Sequence, residues 1–269
     1  MAFGDIELSD YLASPSELYT FTRGSEVWRY TNADSNISFG GFVYVALPIS
    51  RGGIEQTIEM SRNPITLTLI KDAPMLEAYK SSPPSDVTLL TINKIHAGLE
   101  QSIVVWLGRI SNVKFGELEA SVNCEPVYTS MKRSALRRRY QTGCPHALYE
   151  SQCGVNRAAV MELVELSSAS GVTLSGAAFG IHPDGYFSGG YIEATIGVVV
   201  HRRSITGHVG AAVTINLPLP AYTGSLTIRA YPGCDHSLST CNSKYNNADN
   251  FGGQPFFRSK NPMNGTSVY

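Results

Sequence analysis

The sequence has few charged residues and almost no net charge. Only 16% of its 269 residues are Asp, Glu, Lys or Arg, and the formal net charge is −1. Such a chain lacks the basic surface that binds nucleic-acid phosphates, so we expect no specific nucleic-acid partner. No apolar run reaches the roughly 18 residues that a membrane-spanning helix needs, so we expect no membrane span.

The sequence also lacks a secretory leader and the short motifs of common enzyme families. The opening segment MAFGDIELSD has neither a basic nor an apolar region, so we expect folding in a reducing cytoplasm. There is no G-x-S-x-G, no P-loop, no H-E-x-x-H and no G-x-G-x-x-G. We therefore expect a protein that is not an enzyme.

Isolated histidines and one isolated cysteine are interpreted as structural residues. Cys124 lies in a strand pattern and is expected to be a small buried residue, with a Cys124–His catalytic pair as the weaker alternative. Four histidines lie beside predicted strands or turns with no nucleophile nearby in the sequence: His96, His182, His201 and His208.

The first half of the chain has the composition of a β domain. A short helix is predicted over 72–82, between an Asp cap and a Pro-Pro pair. The order of elements predicts a mainly β fold, with a β-barrel or sandwich as the N-terminal domain over 1–131. Strands are predicted where β-branched and aromatic residues lie between Gly, Pro, Asn or Ser, over 43–50, 65–70, 87–95, 102–116 and 119–128.

A basic run marks the predicted boundary with a second, loop-rich domain over 132–269. A second group of three or four strands with Gly-containing turns is predicted within it, from about residue 191 to 233. Residues 156–168 fit either a short helix or a strand. The Asn-, Gly- and Pro-rich segment from Asn242 onwards is expected to have little regular structure. The basic run consists of Lys132, Arg133, Arg137, Arg138 and Arg139.

Four of the five cysteines form two widely separated pairs. Eight residues lie between Cys144 and Cys153, and six lie between Cys234 and Cys241. In a reducing compartment paired cysteines favour a metal site, and four thiolates bind zinc or an iron–sulfur cluster. Zinc sites usually use closer pairs, so these intervals favour a cluster. Two disulfides, Cys144–Cys153 and Cys234–Cys241, are the structural alternative.

Other residues near the cysteines have candidate roles at such a centre. His146 and His236 each follow a cysteine by two positions, as alternative ligands or, more simply, as structural residues. The basic run would offset the negative charge of thiolates, or else face solvent or a partner. Five aromatic residues would shield the centre from water and oxygen, or simply pack: Tyr149, Tyr245, Phe251, Phe256 and Phe257.

Three stretches of the sequence resemble a family of phage tail proteins. CPHALYESQCGVN contains the pattern C-x-H-x-L-Y-x-x-x-C-G-V-[DN]. YPGCDHSLSTCNSKYNNADNFGGQPFF contains a P-G-C-D segment and the block T-C-x-x-K-[FY]-x-N-x-x-N-F-G-G-x-P. Together with the early segment LYTFTRGSEVWRYTNADSNISFGGFVYVALPISRGGIE, they make the chain similar to tailed-phage baseplate-hub and tail-assembly proteins of the BR0599 type.

The resemblance implies a structural protein of the virion tail tip, folded in the host cytoplasm before assembly. Such proteins form a homotrimer around the lumen of a non-contractile tail, between the distal tail protein and the central hub or fibre protein. The tape measure protein is a further expected partner.

The family is related to the lambda-type tail tip protein, in which four cysteines hold an iron–sulfur cluster. This relationship implies that the C-terminal domain is stapled by a [4Fe–4S] cluster on Cys144, Cys153, Cys234 and Cys241, with zinc as the alternative cofactor. Such a centre would bring residues 140–155 and 232–262 into contact. The segment between the two cysteine pairs is longer here than in the lambda-type protein, which implies a small inserted β subdomain over about 162–230.

Two other functions stay open at this point. A hub hydrolase that cuts the host cell wall would need a nucleophile or paired carboxylates in a cleft. A redox protein would need an exposed, reversibly reduced centre with a docking face. The sequence has no motif for the first, and a centre held within loops of a β-rich protein favours a structural role over the second.

Overall fold

The chain folds into two compact units, each with its own sheet and its own apolar core. The computed structural model describes residues 15–55, 63–96, 101–132, 140–197 and 199–256. The units are Met1–Ser134 and Ala135–Tyr269, and the division predicted from the sequence falls slightly before this one. The expected mainly β class is confirmed.

In its described residues, the first unit contains a nine-stranded sheet and a short helix, α1 (Glu77–Ser81), which follows a 3-10 turn over Pro74–Leu76. The sheet order is β3-β4-β2-β1-β7-β8-β9-β6-β5. Neighbouring strands are antiparallel, apart from the parallel pair β2 and β4. The strands are β1 (Pro15–Arg23), β2 (Glu26–Thr31), β3 (Ile37–Phe39), β4 (Phe42–Ala46), β5 (Ile49–Arg51), β6 (Ile65–Ile70), β7 (Leu89–His96), β8 (Ser102–Phe115) and β9 (Glu119–Pro126).

Strand β6 illustrates why these segments form strands. Ile65, Leu67 and Leu69 are buried in the main core, while the threonines between them face the other side. This alternation has the period of a strand, and each buried aliphatic side chain contributes about 1.5–3 kcal/mol relative to exposure. The predicted strand over 65–70 is therefore confirmed at both ends.

The sheet of the first unit curls back on itself. Arg51 on β5 donates from Nε to the carboxylate of Glu17 on β1 at 2.9 Å, although four strands lie between them in the sheet order. The hydroxyl of Tyr19 donates to the same carboxylate at 2.5 Å. The predicted barrel or sandwich thus takes the form of one strongly curled sheet around the main core.

Other predictions for the first unit are met with changes of boundary. The predicted strand over 43–50 is divided between β4 and β5. The predicted strand over 119–128 ends at Pro126, and a 3-10 turn over Val127–Lys132 follows it. The predicted helix over 72–82 consists of the 3-10 turn and α1. Strands β1 and β2 lie outside the segments that composition predicts as strands.

The second unit contains a seven-stranded antiparallel sheet in the order β10-β16-β13-β14-β15-β12-β11. The helices among its described residues are α2 (Arg157–Val160) and α3 (Leu238–Tyr245), with 3-10 turns over Ala177–Ile181 and Ala248–Asn250. None of the described helices is long and apolar enough to cross a membrane. The strands are β10 (Glu162–Glu165), β11 (Ser168–Ser170), β12 (Thr173–Ser175), β13 (Tyr191–Ile196), β14 (Val199–Val209), β15 (Ala212–Ile215) and β16 (Thr227–Tyr231).

Two predictions for this unit change. Residues 156–168 contain both alternatives, because α2 is followed directly by β10. The expectation of little regular structure from Asn242 onwards changes only in that the described part, 242–256, includes the second half of α3 and a 3-10 turn. Helix α3 is fixed by its ends: the Ser237 hydroxyl accepts from the N–H of Thr240 at 3.2 Å, and left-handed Asn246 ends the helix.

The first and last strands of this sheet are neighbours. Glu162 on β10 lies opposite Ala230 on β16, so the chain enters and leaves the sheet at the same edge. The loop before α2 and the segment after β16 therefore lie on the same side of this unit. These are the two segments that carry the paired cysteines.

Candidate metal centre

The four paired cysteines meet around one small cavity in the second unit. Cys144 and Cys153 lie in the loop before α2, Cys234 follows β16, and Cys241 lies on α3. All four line the same cavity, although the two pairs are far apart in the sequence. The volume that the centre of a water molecule can reach inside this cavity is about 20 Å³, which is room for one small species.

Hydrogen bonds join the two cysteine segments directly. The N–H of Cys144 donates to the carbonyl of His236 at 2.8 Å. The side-chain amide of Asn247 donates to the carbonyl of Cys153 at 2.5 Å. The predicted contact between the two segments is confirmed for the described residues, which end at 256.

Two residues beside the cysteines have a left-handed backbone. Tyr149 has φ of 67° and His236 has φ of 62°, a conformation that costs a residue with a Cβ about 1–2 kcal/mol. At His236 it directs the N–H towards Sγ of Cys234, at 3.3 Å. The carbonyl of the same residue accepts from Cys144, so one strained residue contacts both cysteine segments.

Asn247 contacts the sulfur atoms of two cysteines. Its Nδ2 lies 3.9 Å from Sγ of Cys153, and Sγ of Cys241 donates to its backbone carbonyl at 3.2 Å. The amide of Asn250 donates to Oδ1 of Asn247 at 2.7 Å, which leaves Nδ2 facing Cys153. The segment after α3 thus supplies polar groups to the cavity.

Burial and neighbouring charges raise the pKa values of two of the four cysteines, Cys234 and Cys241. Burial raises the pKa of the Cys234 thiol, and nearby Cys153 and Cys144 contribute to the increase. Burial is also the main cause of the raised pKa of Cys241, with smaller contributions from the other three thiols. Adjacent thiolates repel each other, so four of them form together only when a cation is present.

The donor set fits a thiolate-bound metal, but the side chains do not form a coordination shell in this structure. All five cysteines are free thiols, so neither alternative disulfide is formed. Four converging thiols, with no carboxylate among the lining residues, are the donors that zinc and iron–sulfur clusters take. Across the described ranges, however, no group of three or more His, Cys, Asp or Glu side chains has the arrangement needed to hold a metal ion. The structure therefore does not support the metal cluster that was expected to staple the second domain. The assignment of the four cysteines as its ligands stays a prediction.

The first cysteine loop packs closely against the segment after α3. His146 lines the cavity, and a Cβ on Gly252 would lie 2.2 Å from its Nε2. A Cβ on Gly253 would lie 2.6 Å from the carbonyl oxygen of Gly143. This pair of glycines therefore allows the two backbones to approach.

Lys244 on α3 was not singled out from the sequence. Its Nζ donates to the carbonyls of Tyr186 at 2.5 Å and Gly233 at 2.7 Å, and lies 4.0 Å from the centre of the Tyr186 ring. Burial lowers the pKa of Lys244 to about 8. The available signal was the block K-[FY]-x-N-x-x-N, which contains Lys244, Asn247 and Asn250.

Tyrosines form one wall beside the cysteines. Tyr245 lines the cavity, and the ring of Tyr149 meets it edge to face at 6.5 Å. The hydroxyls of both tyrosines donate to the carbonyl of Pro232, at 2.5 Å from Tyr149 and 3.1 Å from Tyr245. Tyr149 and Tyr245 thus hold the chain just before Cys234.

Neither of the two described phenylalanines that were predicted to shield the centre lines the cavity. Phe256 is 92% exposed, so its predicted shielding role is wrong. Phe251 is not among the lining residues, and Phe257 lies outside the described residues. The aliphatic lining comes instead from Leu148 and Val155.

Cys124 is the buried core residue that its strand pattern predicted. It is fully buried on β9, among the side chains of the main core. Burial raises the pKa of its thiol to about 12, so the reactive thiolate is disfavoured at neutral pH.

Two of the four isolated histidines have clear structural partners. Nε2 of His208 lies 3.1 Å from the carbonyl oxygen of Phe179, and Nε2 of His182 lies 2.6 Å from a carboxylate oxygen of Glu162. His96 and His201 are buried.

Of the basic run, residues 133–139 and the side chain of residue 132 lie outside the described part of the chain.

Two family models match the sequence. The model described as baseplate hub protein, N-terminal attachment domain, matches residues 8–156, more than half of the chain. The model described as phage conserved hypothetical protein BR0599 matches residues 185–261, which include Cys234 and Cys241. Together with the β-rich fold, these matches define a structural protein of a virion tail. The chain belongs to the baseplate hub family that carries this attachment domain, which confirms the resemblance seen in the sequence.

Two individual proteins are also similar. An uncharacterized protein of Xylella fastidiosa (strain 9a5c) is 29% identical over 163 residues, which are 56% of this chain and 34% of that protein. This chain thus matches about a third of that relative's length. A chain in the solved structure of the virion of a native gene transfer agent particle has a TM-score of 0.75 and 16% identity, covering 100% of this chain and 99% of that one. At that identity the similarity shows a shared fold.

Proposed function

We propose that this protein is a structural hub at the tip of a non-contractile virion tail, where it joins the distal tail ring to the central hub or fibre protein around the lumen. The observation that carries the proposal is the attachment-domain match over residues 8–156, which includes the curled sheet of the first unit. The fold shared along the whole chain with a chain of the gene transfer agent virion supports the same setting.

In this proposal the protein assembles as a homotrimer, with the distal tail protein, the central hub protein and the tape measure protein as neighbours. The low charge supports a position around a lumen through which DNA passes, since a basic wall would retain phosphates. Large apolar side chains available for burial in an assembly are exposed on β4 and β8. They are Phe42, Val43, Val45, Ile103, Val104 and Leu107.

The proposed hub contains a thiolate-bound metal centre in its second unit. Cys144, Cys153, Cys234 and Cys241 would hold a [4Fe–4S] cluster, with zinc as the alternative, because these four thiols surround one cavity. When bound, the metal contributes its binding free energy to folding and supplies the charge that keeps four adjacent cysteines ionised. The chain's own part is to bring the two cysteine segments together and to direct N–H groups towards sulfur.

The proposed role is structural and not enzymatic. Cys124 is buried in the core, and the histidine contacts described above are with carbonyl and carboxylate groups within the fold. A peptidoglycan zymogram tests the hydrolase alternative directly. A cleared band from the purified protein would overturn the structural reading.

Cross-linking of purified tailed particles tests the hub proposal. A lysine-reactive cross-linker followed by mass spectrometry is expected to join Lys71, Lys94 or Lys114 of the first unit to the distal tail protein. The major capsid protein serves as the control and is expected to give no cross-link to this chain. Native mass spectrometry of detached tail tips is expected to show three copies. The proposal fails if the protein is missing from particles or occurs only with the capsid.

A further inference from the structure

Lys244 is a half-buried cation that is held by groups without a full negative charge. Its Nζ donates to two backbone carbonyls, those of Tyr186 and Gly233, and lies over the Tyr186 ring. Within the ranges that the structure describes, no carboxylate forms an ion pair with it. Partly buried charges are usually paired. The groups whose negative charge acts on Lys244 are the Cys234 thiol, when ionised, and the exposed carboxylate of Asp235.

Of these two groups, Cys234 lines the four-cysteine cavity. Lys244 follows Cys241 by three residues on α3, and one of its acceptors, the Gly233 carbonyl, belongs to the residue before Cys234. The residue after Lys244, Tyr245, lines the cavity. The cavity lining itself contains no lysine or arginine among the described residues.

We propose that Lys244 is a positioning residue of the four-cysteine centre, where its charge offsets that of the thiolates and its hydrogen bonds fix the backbone before Cys234. The inference rests on the proposed metal centre. Four thiolates around Zn²⁺ or a [4Fe–4S]²⁺ core leave a net charge of about −2, which must be stabilised in a partly buried setting. A fixed ammonium nearby lowers the free energy of that charged state more than it would in water.

Zinc titration of the metal-free, full-length chain tests this role. The protein is purified anaerobically, stripped of metal and titrated with Zn²⁺ alone against a competing chromophoric chelator. The variants are Lys244→Gln, which keeps N–H donors for the carbonyls but removes the charge, and Lys244→Arg, which keeps the charge. We expect the glutamine variant to bind zinc about 10- to 100-fold more weakly, the usual effect of losing a supporting residue at a metal site. The arginine variant is expected to stay close to wild type.

Thermal unfolding of the metal-free proteins separates this role from simple support of the fold. If the role of Lys244 is purely structural, the glutamine variant unfolds at a lower temperature but its folded form binds zinc as tightly as wild type. That result overturns the inference about Lys244 and leaves the proposed metal centre standing. A wild-type chain that binds no zinc and carries no iron overturns the proposed centre and this inference with it. If the glutamine variant does not fold, Lys244→Met, which keeps the aliphatic chain over Tyr186, is titrated instead. For this methionine variant, the expected loss of zinc affinity and the result that would overturn the inference are the same as for the glutamine variant.

Discussion

The backbone N–H of Cys144 donates to the carbonyl oxygen of His236 at 2.8 Å, which links the first cysteine loop to the second. This contact depends on the left-handed backbone of His236. Glycine adopts that conformation without a Cβ clash, so we expect His236→Gly to raise the free energy of unfolding by up to about 1 kcal/mol. Urea unfolding of the metal-free protein measures the change.

The same variant separates the two roles considered for the His236 imidazole. If the side chain is structural, His236→Gly protein keeps the metal content of wild type, because the backbone contacts remain. Loss of metal from a correctly folded glycine variant would instead identify the imidazole as a ligand.

Replacement of one paired cysteine is expected to remove the metal. Cys234→Ser should lose iron and acid-labile sulfide and loosen the second unit, because three thiolates do not complete the shell. The matched control is Cys124→Ser. It places a hydroxyl in the core of the first unit at a cost of about 1–3 kcal/mol but should leave metal content unchanged. Full iron and sulfide in Cys234→Ser protein would refute the four-cysteine assignment.

Gly252→Ala is expected to separate the segment after α3 from the first cysteine loop. The new Cβ would lie 2.2 Å from Nε2 of His146, and overpacking of this kind costs about 1–3 kcal/mol. Gly207→Ala on β14 is the control, since its Cβ would meet Thr214 at an ordinary 3.9 Å. Urea midpoints of the two variants provide the comparison. Equal midpoints would contradict the close packing.

Glu193 gives the second unit a pH-dependent contribution to stability. Burial raises the pKa of its carboxyl, but hydrogen bonds from Arg202 and Tyr231 and the charges of Arg202 and Arg157 outweigh burial and lower it. A lowered pKa in the folded state means that this contribution is present above the ordinary carboxyl pKa of about 4.5 and disappears as the pH falls through the folded value.

Glu193→Gln is therefore expected to lower the free energy of unfolding by about 1–3 kcal/mol at pH 7. The difference from wild type should shrink progressively below about pH 4.5. Urea unfolding of both proteins from pH 7 to pH 3 measures it. A difference that stays constant across this range would exclude the ionised carboxylate as its source.

Arg51→Met is expected to weaken the closure of the curled sheet. It removes the charged hydrogen bonds to Glu17, which are mostly buried, at a cost of about 1.5–3 kcal/mol. Arg109→Met is the control, because the Arg109–Glu125 pair is more exposed and contributes about 0–1 kcal/mol. Similar losses in the two variants would show that the Arg51 contact has no special role.

Local sequence determines some elements and leaves others open. Strand β6 was predicted at both ends because its alternation of aliphatic residues and threonine is complete within one segment. Helix α3 was missed because it has little apolar periodicity, and its limits depend on caps at Ser237 and Asn246. Composition identifies a periodic element more readily than a capped one.

The cysteines of the site could be predicted from the sequence, but the residues that hold them in place could not. Cysteine spacing and resemblance pointed to the two segments that meet at the cavity. Lys244 and Asn247 act through backbone carbonyls of residues distant in the sequence, Tyr186 and Cys153, and no local pattern reports such contacts. Aromatic residues close in sequence were a poor guide, as exposed Phe256 shows.

The adjacency of β10 and β16 means that the seven-stranded sheet begins and ends at one place in the unit. Glu162 and Ala230 are paired, so both junctions of the sheet lie one strand spacing apart, about 5 Å. The chain between the two cysteine pairs can therefore be long without holding the cysteine loops apart. Its freedom to vary is greatest at β11, the strand at the opposite end of the sheet order from β10. The loop that carries Tyr186 must keep its place, because its carbonyl accepts from Lys244.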